Sequence, residues 1–123
     1  MHRPRRRISI LYALCGPSLL DHSAAGLFRL LLLAPLLEEW IVRAGVQESL
    51  SRRGRHAALV LGAPALAFSL LHAASGWQAM AAVFLPGLAF GVVYRRWRDW
   101  RLCALVHGLC NGFALSFCSF SIY

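Results

Sequence analysis

Apolar residues run almost unbroken along this chain, and its charged residues gather in short clusters between the runs. No Asp, Glu, Lys or Arg occurs from Ala57 to Tyr94, and none from Leu102 to Tyr123. A soluble domain of 123 residues has little interior in which to bury such tracts, whereas one bilayer span uses roughly 20 apolar residues. The pattern predicts helical spans near 8–22, 24–49, 57–75, 77–94 and 100–119. Gly16-Pro17 interrupts the first, which is therefore expected to be short, and tilted or partial. Gly62, Ala63, Ala65 and Ala67, then Gly87, Ala89 and Gly91, allow close helix approach in lipid. Pro64 and Pro86 are expected to bend their helices and free carbonyls. The expected fold is all-α: a multi-pass transmembrane helical bundle of about five spans, forming a single domain over 1–123.

Composition sharpens this picture and charge orients it. The chain is 59% hydrophobic with a formal charge of +8. Eleven of its thirteen arginines lie in three clusters: Arg3/Arg5/Arg6/Arg7, Arg52/Arg53/Arg55 and Arg95/Arg96/Arg98/Arg101. Each cluster flanks an apolar segment, as cytoplasmic loops do. An alternating path then puts the N-terminus and all three clusters in the cytoplasm, and Asp21-His22-Ser23, Ala74 to Trp77 and the C-terminus outside. The expected location is the plasma (inner) membrane. Anionic headgroups are the expected partner of the arginines, and nucleic acid is not, since no groove-reading motif accompanies the charge. Trp77, Trp97, Trp100 and Tyr94 fall at span ends, where amphipathic aromatics favour the interface. The charged segment Gln47 to His56 is expected to leave the bilayer. The arginine-rich N-terminus looks like a signal peptide, but the residues around Cys15 and Asp21 make a poor cleavage site, and a retained helix fits better.

Against this background a few polar residues stand out. Glu38 and Glu39 end the apolar run Leu30 to Leu37, and an acid at membrane depth costs about 2.5–3.5 kcal/mol on insertion scales. Glu39 and Arg43 are four apart, facing each other in acid-before-base order, and are read as a structural ion pair. Glu38 points elsewhere without a local partner, as expected of a general base. His72 stands alone on its helix, four residues after Phe68. His107 and Asn111, four apart, project from one side of the last span. They could bond to a neighbouring helix or donate together toward one bound oxygen atom. Cys103, His107 and Cys110 share a helix face and His72 could complete four ligands, which leaves a divalent metal such as zinc open. HExxH is absent, and no serine has a paired base in a recognisable motif.

The ordered set Glu38-Glu39-x-x-x-Arg43, Phe68-x-x-x-His72 and His107-x-x-x-Asn111 resembles the CPBP family of intramembrane proteases. That family includes the type II CAAX prenyl endopeptidases and bacterial relatives linked to bacteriocin processing and self-immunity, and some thought to process C-terminal sorting signals. The match covers about residues 30–115. The resemblance implies that Glu38 and His72 hold and deprotonate the attacking water. It implies that His107 and Asn111 polarise the scissile carbonyl and stabilise its oxyanion, while Glu39 and Arg43 fix the geometry. Its implied partner is a membrane-anchored protein or peptide substrate. Family members usually carry extra helices before the first motif, so a partner subunit, in a homo- or hetero-oligomer, is considered for completing the cavity.

Two other function classes compete with an intramembrane endopeptidase: a non-catalytic immunity or scaffold protein, and a proton- or ion-conducting bundle. One distance bears on the first. At about 1.5 Å per residue, His72 lies about 22 Å from the inner end of its span and His107 about 10 Å from its own. Straight, level spans would hold the two histidines too far apart to share a site. Bending at Pro64, a sunken 51–56 loop or a tilted hairpin would close the gap.

Overall fold

A computed structural model describes Cys15 and residues 22–122, with side chains to 118. The described residues form helices and no strands. The expected first span at 8–22 lies outside them apart from Cys15 and His22, as does the Arg3/Arg5/Arg6/Arg7 cluster.

Helix α1 is a long rod over 24–52, opened by Ser23, whose hydroxyl accepts the Gly26 N–H at 3.0 Å. It is α-helical except at Arg29–Leu33 and Trp40–Gln47, where the turns widen to the π form. Both wide turns have consequences. An α-helix turns every 3.6 residues, so a residue four positions on overshoots by about 40°. The wider i→i+5 turn takes up that overshoot, and Glu39, Arg43 and Gln47 come to lie along one stripe, all three fully buried. At the upper turn, Pro35 has no N–H to give. In i→i+5 pairing the carbonyl it leaves is that of Leu30, which accepts the Asn111 amide at 2.9 Å.

Helix α2 (Ala57–Leu70) spans 14 residues, about 21 Å, and continues through the buried Pro64. It stops earlier than the predicted 75: a short 3₁₀ turn at Ala73–Ser75 follows, and Gly76 adopts φ 98°. Helix α3 (Trp77–Trp97) runs through Pro86 and ends at Arg98. Arg98 sits in the left-handed region, φ 56°, costly for a residue with a Cβ. The turn aims its guanidinium at Glu48, 2.9 Å away. Helix α4 (Trp100–Ile122) follows directly.

α3 over Trp77–Trp97 and α4 over Trp100–Cys118 are long and apolar enough to cross a membrane. Only 22% and 28% of those stretches are buried inside the protein, unlike core helices of a soluble domain. Leu85, Leu105, Leu109 and Phe113 instead face outward. The buried interior holds Val42, Phe68 and Phe90 beside Glu39, Arg43, Gln47 and His107. Outside apolar and inside partly polar is the distribution that lipid demands.

α2 and α3 pack closely because Gly87 has no side chain: a Cβ there would stand 2.9 Å from Cδ1 of Phe68. α1 and α4 approach more closely still, where a Cβ on Gly108 would lie 2.5 Å from the Leu31 carbonyl oxygen. Cys15 is joined by a disulfide to Cys118, near the end of α4.

Within the segment Gln47 to His56, Gln47 is fully buried and the helix continues to Arg52 before a turn. Tyr94, at the end of α3, is buried, and its hydroxyl donates to Glu48 at 2.5 Å.

Candidate active site

Glu39, Arg43 and Gln47 build the floor of the site. Arg43 Nε donates to Glu39 Oε2 at 2.7 Å, Nη1 to Gln47 Oε1 at 2.9 Å and Nη2 to the Gly87 carbonyl at 2.8 Å. Gln47 Nε2 donates to the Gly91 carbonyl at 2.9 Å. Two glycines one turn apart on α3 thus offer carbonyls to two side chains one turn apart on α1. Gly91 eases this approach, since a Cβ there would sit 3.3 Å from Arg43 Nη1 and the guanidinium would have to give by a few tenths of an ångström. Among the described residues no buried side-chain nitrogen or oxygen lacks a partner, which a low-dielectric interior requires.

The second oxygen of Glu39 reaches α4: Oε1 and His107 Nδ1 are 3.0 Å apart. The far side of that imidazole, Nε2, lies 3.6 Å from Glu38 Oε2. Glu38 is half-buried and Glu39 fully so, although the two are neighbours in sequence. The helix aims one acid into the clamp and leaves the other at the edge of the open region.

His72 caps the end of α2 and donates Nδ1–H to the Phe68 carbonyl at 2.9 Å; a carbonyl cannot donate, so the proton is on Nδ1. The Phe68 ring lies between the histidines, 5.0 Å from His72 and 5.2 Å from His107, edge-on to both. The two imidazoles are therefore no farther apart than these distances laid end to end. Phe90 stacks on the other face of His107 at 5.1 Å.

His72 and His107 flank the Phe68 ring, which brings them nearer than straight, level spans would. Glu48, four residues before the end of α1 at Arg52, meets Tyr94 and Arg98.

Glu38, His72 and His107 are thus brought together. Asn111 is held to one side, its amide on the Leu30 carbonyl. Cys103 and Cys110 do not converge with His107. Cys103 is buried and directs its thiol to the Phe90 carbonyl at 3.5 Å, while Cys110 is exposed. Among the described residues no three His, Cys, Asp or Glu side chains gather as metal ligands. Glu39 is occupied at both oxygens, by Arg43 and His107. Sequence reasoning missed Gln47 and Glu48. Gln47 continues the four-residue spacing of Glu39 and Arg43, and that was its one available signal.

The profile of a family described as Type II CAAX prenyl endopeptidase Rce1-like matches residues 21–113. The chain belongs to that family. The matched stretch contains all six residues of the clamp and the open cluster (Glu38, Glu39, Arg43, Gln47, His72 and His107), together with Asn111. No curated protein and no solved structure matches the chain. Membership in this family of CAAX-type endopeptidases points to a protease with a membrane-associated protein substrate in a lipid environment. The two long apolar helices agree with a membrane protein.

Proposed function

We propose that this protein is an intramembrane endopeptidase that hydrolyses a peptide bond of a membrane-associated substrate with water activated by Glu38 and His72. One observation carries the reading. Glu38 is a half-buried carboxylate beside the His107 imidazole, with His72 across the Phe68 ring, and among the described residues no buried side-chain nitrogen or oxygen lacks a partner. A carboxylate free to accept, within reach of bases that orient a water, is what general-base attack on a carbonyl needs. In this reading His107 and Asn111, one turn apart on α4, would donate to the oxyanion of the scissile carbonyl, each donor contributing about 2.7–4 kcal/mol. Glu39, Arg43 and Gln47 hold α1 against α3 and α4 so that these groups keep their separation.

The protein would cross the plasma (inner) membrane several times with its arginine end in the cytoplasm. Glu48 joins two arginine clusters at one end of the bundle, through Arg52 and Arg98. The Cys15–Cys118 disulfide ties the other end, and disulfides persist in oxidising compartments outside the cytosol. The test is a comparison of membrane-protein termini in cells carrying wild type or Glu38→Gln at matched expression. New termini present with wild type and absent with the variant are expected. Identical termini, with the variant correctly inserted, would instead favour a non-catalytic membrane module.

A further inference from the structure

We infer that Glu39 fixes His107 as the Nδ1–H tautomer, so that Nε2 faces Glu38 as a proton acceptor and becomes a donor only after it takes a proton. The assignment follows from what each group can do. Glu39 Oε2 accepts from Arg43 at 2.7 Å, in a pair wholly removed from solvent. Arginine keeps its charge in proteins, and an ionised carboxylate accepts only. The 3.0 Å contact between Glu39 Oε1 and His107 Nδ1 therefore has its proton on the ring. Neutral imidazole carries a single N–H, so Nε2 is left with a lone pair. Phe68 edge-on and Phe90 stacked hold the ring against rotation.

With Glu38 ionised, as a general base must be, its Oε2 and His107 Nε2, 3.6 Å apart, are two acceptors with no proton of their own between them. A water oxygen about 2.8 Å from each gives one hydrogen to each. This deepens the proposed proteolysis, on which it rests, by joining two roles that the family resemblance keeps apart. The proton that Glu38 removes from water passes to Nε2. The hydroxide forms the new C–O bond, and the carbonyl electron pair moves to oxygen. The imidazolium now carries an Nε2–H that donates to that oxyanion, and Glu39 stabilises its charge from the far side. When the C–N bond breaks, the Nε2 proton leaves with the amine, and the acid product keeps the hydroxyl. Glu39 is a positioning residue, acting on the reaction through His107.

The experiment is nitrogen NMR of the full chain, labelled with ¹⁵N-histidine, in lipid nanodiscs, with His107 assigned by His107→Gln. Wild type is expected to show an unprotonated Nε2 and a protonated Nδ1 in the neutral form. In Glu39→Gln that preference is expected to be lost, because an amide N–H at position 39 can donate to Nδ1 instead. A protonated Nε2 in neutral wild type overturns the inference, whether or not the variant accumulates. An unchanged tautomer in a folded Glu39→Gln overturns the role of Glu39. The spectrum does not depend on turnover. The expected tautomer together with unchanged termini in Glu38→Gln would refute proteolysis and leave this assignment standing.

Discussion

Glu38 and Glu39 are neighbours on one helix, yet their surroundings could hardly differ more. Glu39 is fully buried, with one oxygen on Arg43 and the other on His107. Through Arg43 and Gln47 its network ends on the carbonyls of Gly87 and Gly91. Glu38 is half-exposed, and its closest partner among the described residues is the His107 imidazole at 3.6 Å. Both acids carry the same cost of lying in an apolar bundle. The clamp offsets that cost with bonds inside the protein, whereas the open cluster leaves capacity for a water or a substrate. Satisfaction of hydrogen bonds, more than depth or charge, separates the residue that holds the fold from the residue proposed to react.

The comparison breaks first at Arg43. Arg43→Ala removes the partner of Glu39 and leaves a buried charge uncompensated, which costs about 3–5 kcal/mol. The expected outcome is a large fall in protein abundance and in detergent melting temperature, with a smaller fall in activity per surviving molecule. Equal abundance with abolished turnover would move Arg43 from the clamp to the chemistry. A second test acts on the seam between α1 and α4. Gly108→Ala places a Cβ 2.5 Å from a backbone oxygen that cannot move aside alone. Overpacking of this kind costs about 1–3 kcal/mol. It should also lengthen the Glu39–His107 contact, so stability and activity are expected to fall together. Melting identical to wild type would mean that the helices do not meet this closely.

Much of the clamp and of the cluster was legible in the sequence, and the illegible parts have identifiable causes. Glu39 and Arg43 read as a pair because four residues is nearly one α-turn. Gln47 did not, because an α-helix carries residue 47 about 80° past residue 39, and only the wide turns restore it to the stripe. The pairing of Asn111 with Leu30 depends on the same device, a carbonyl freed where Pro35 meets a π turn. The early end of α2 went unseen because His72, Ala73 and Ala74 differ little in composition from the helix before them. Four cysteines admit three full pairings, and nothing in their spacing favours Cys15 with Cys118. The separation of the histidines was left open by the sequence, because it depends on helix tilt and stagger that residue spacing does not carry. Glu48, a charged residue near the end of a span, gave no sign that it marks the true register.

Asn111 lies between the two regions and sharpens the boundary. Asn111→Ala removes one side chain-to-carbonyl bond between α4 and α1. Bonds of this kind in membrane bundles average about 0.6 kcal/mol. The expected change in melting is small, well below that of Gly108→Ala. A larger loss of turnover than of stability would assign its remaining amide hydrogen to the substrate side. A loss confined to stability would assign Asn111 to the seam.

The smallest expected effect on the fold comes from Glu38→Gln, and for that reason it decides the comparison most cleanly. Glutamine keeps the size and one acceptor oxygen of glutamate and removes its charge and its capacity as a base. Glu38 is half-exposed and makes no short bond, so stability should change by no more than about 0.5 kcal/mol. Abundance, insertion and melting should match wild type while substrate termini are no longer generated. The contrast with Arg43→Ala is the informative quantity: one variant loses the protein and keeps its chemistry, the other keeps the protein and loses its chemistry. A Glu38→Gln melting loss approaching that of Arg43→Ala would mean that Glu38 is bound into the clamp, and that the open cluster is a packing arrangement instead of a site.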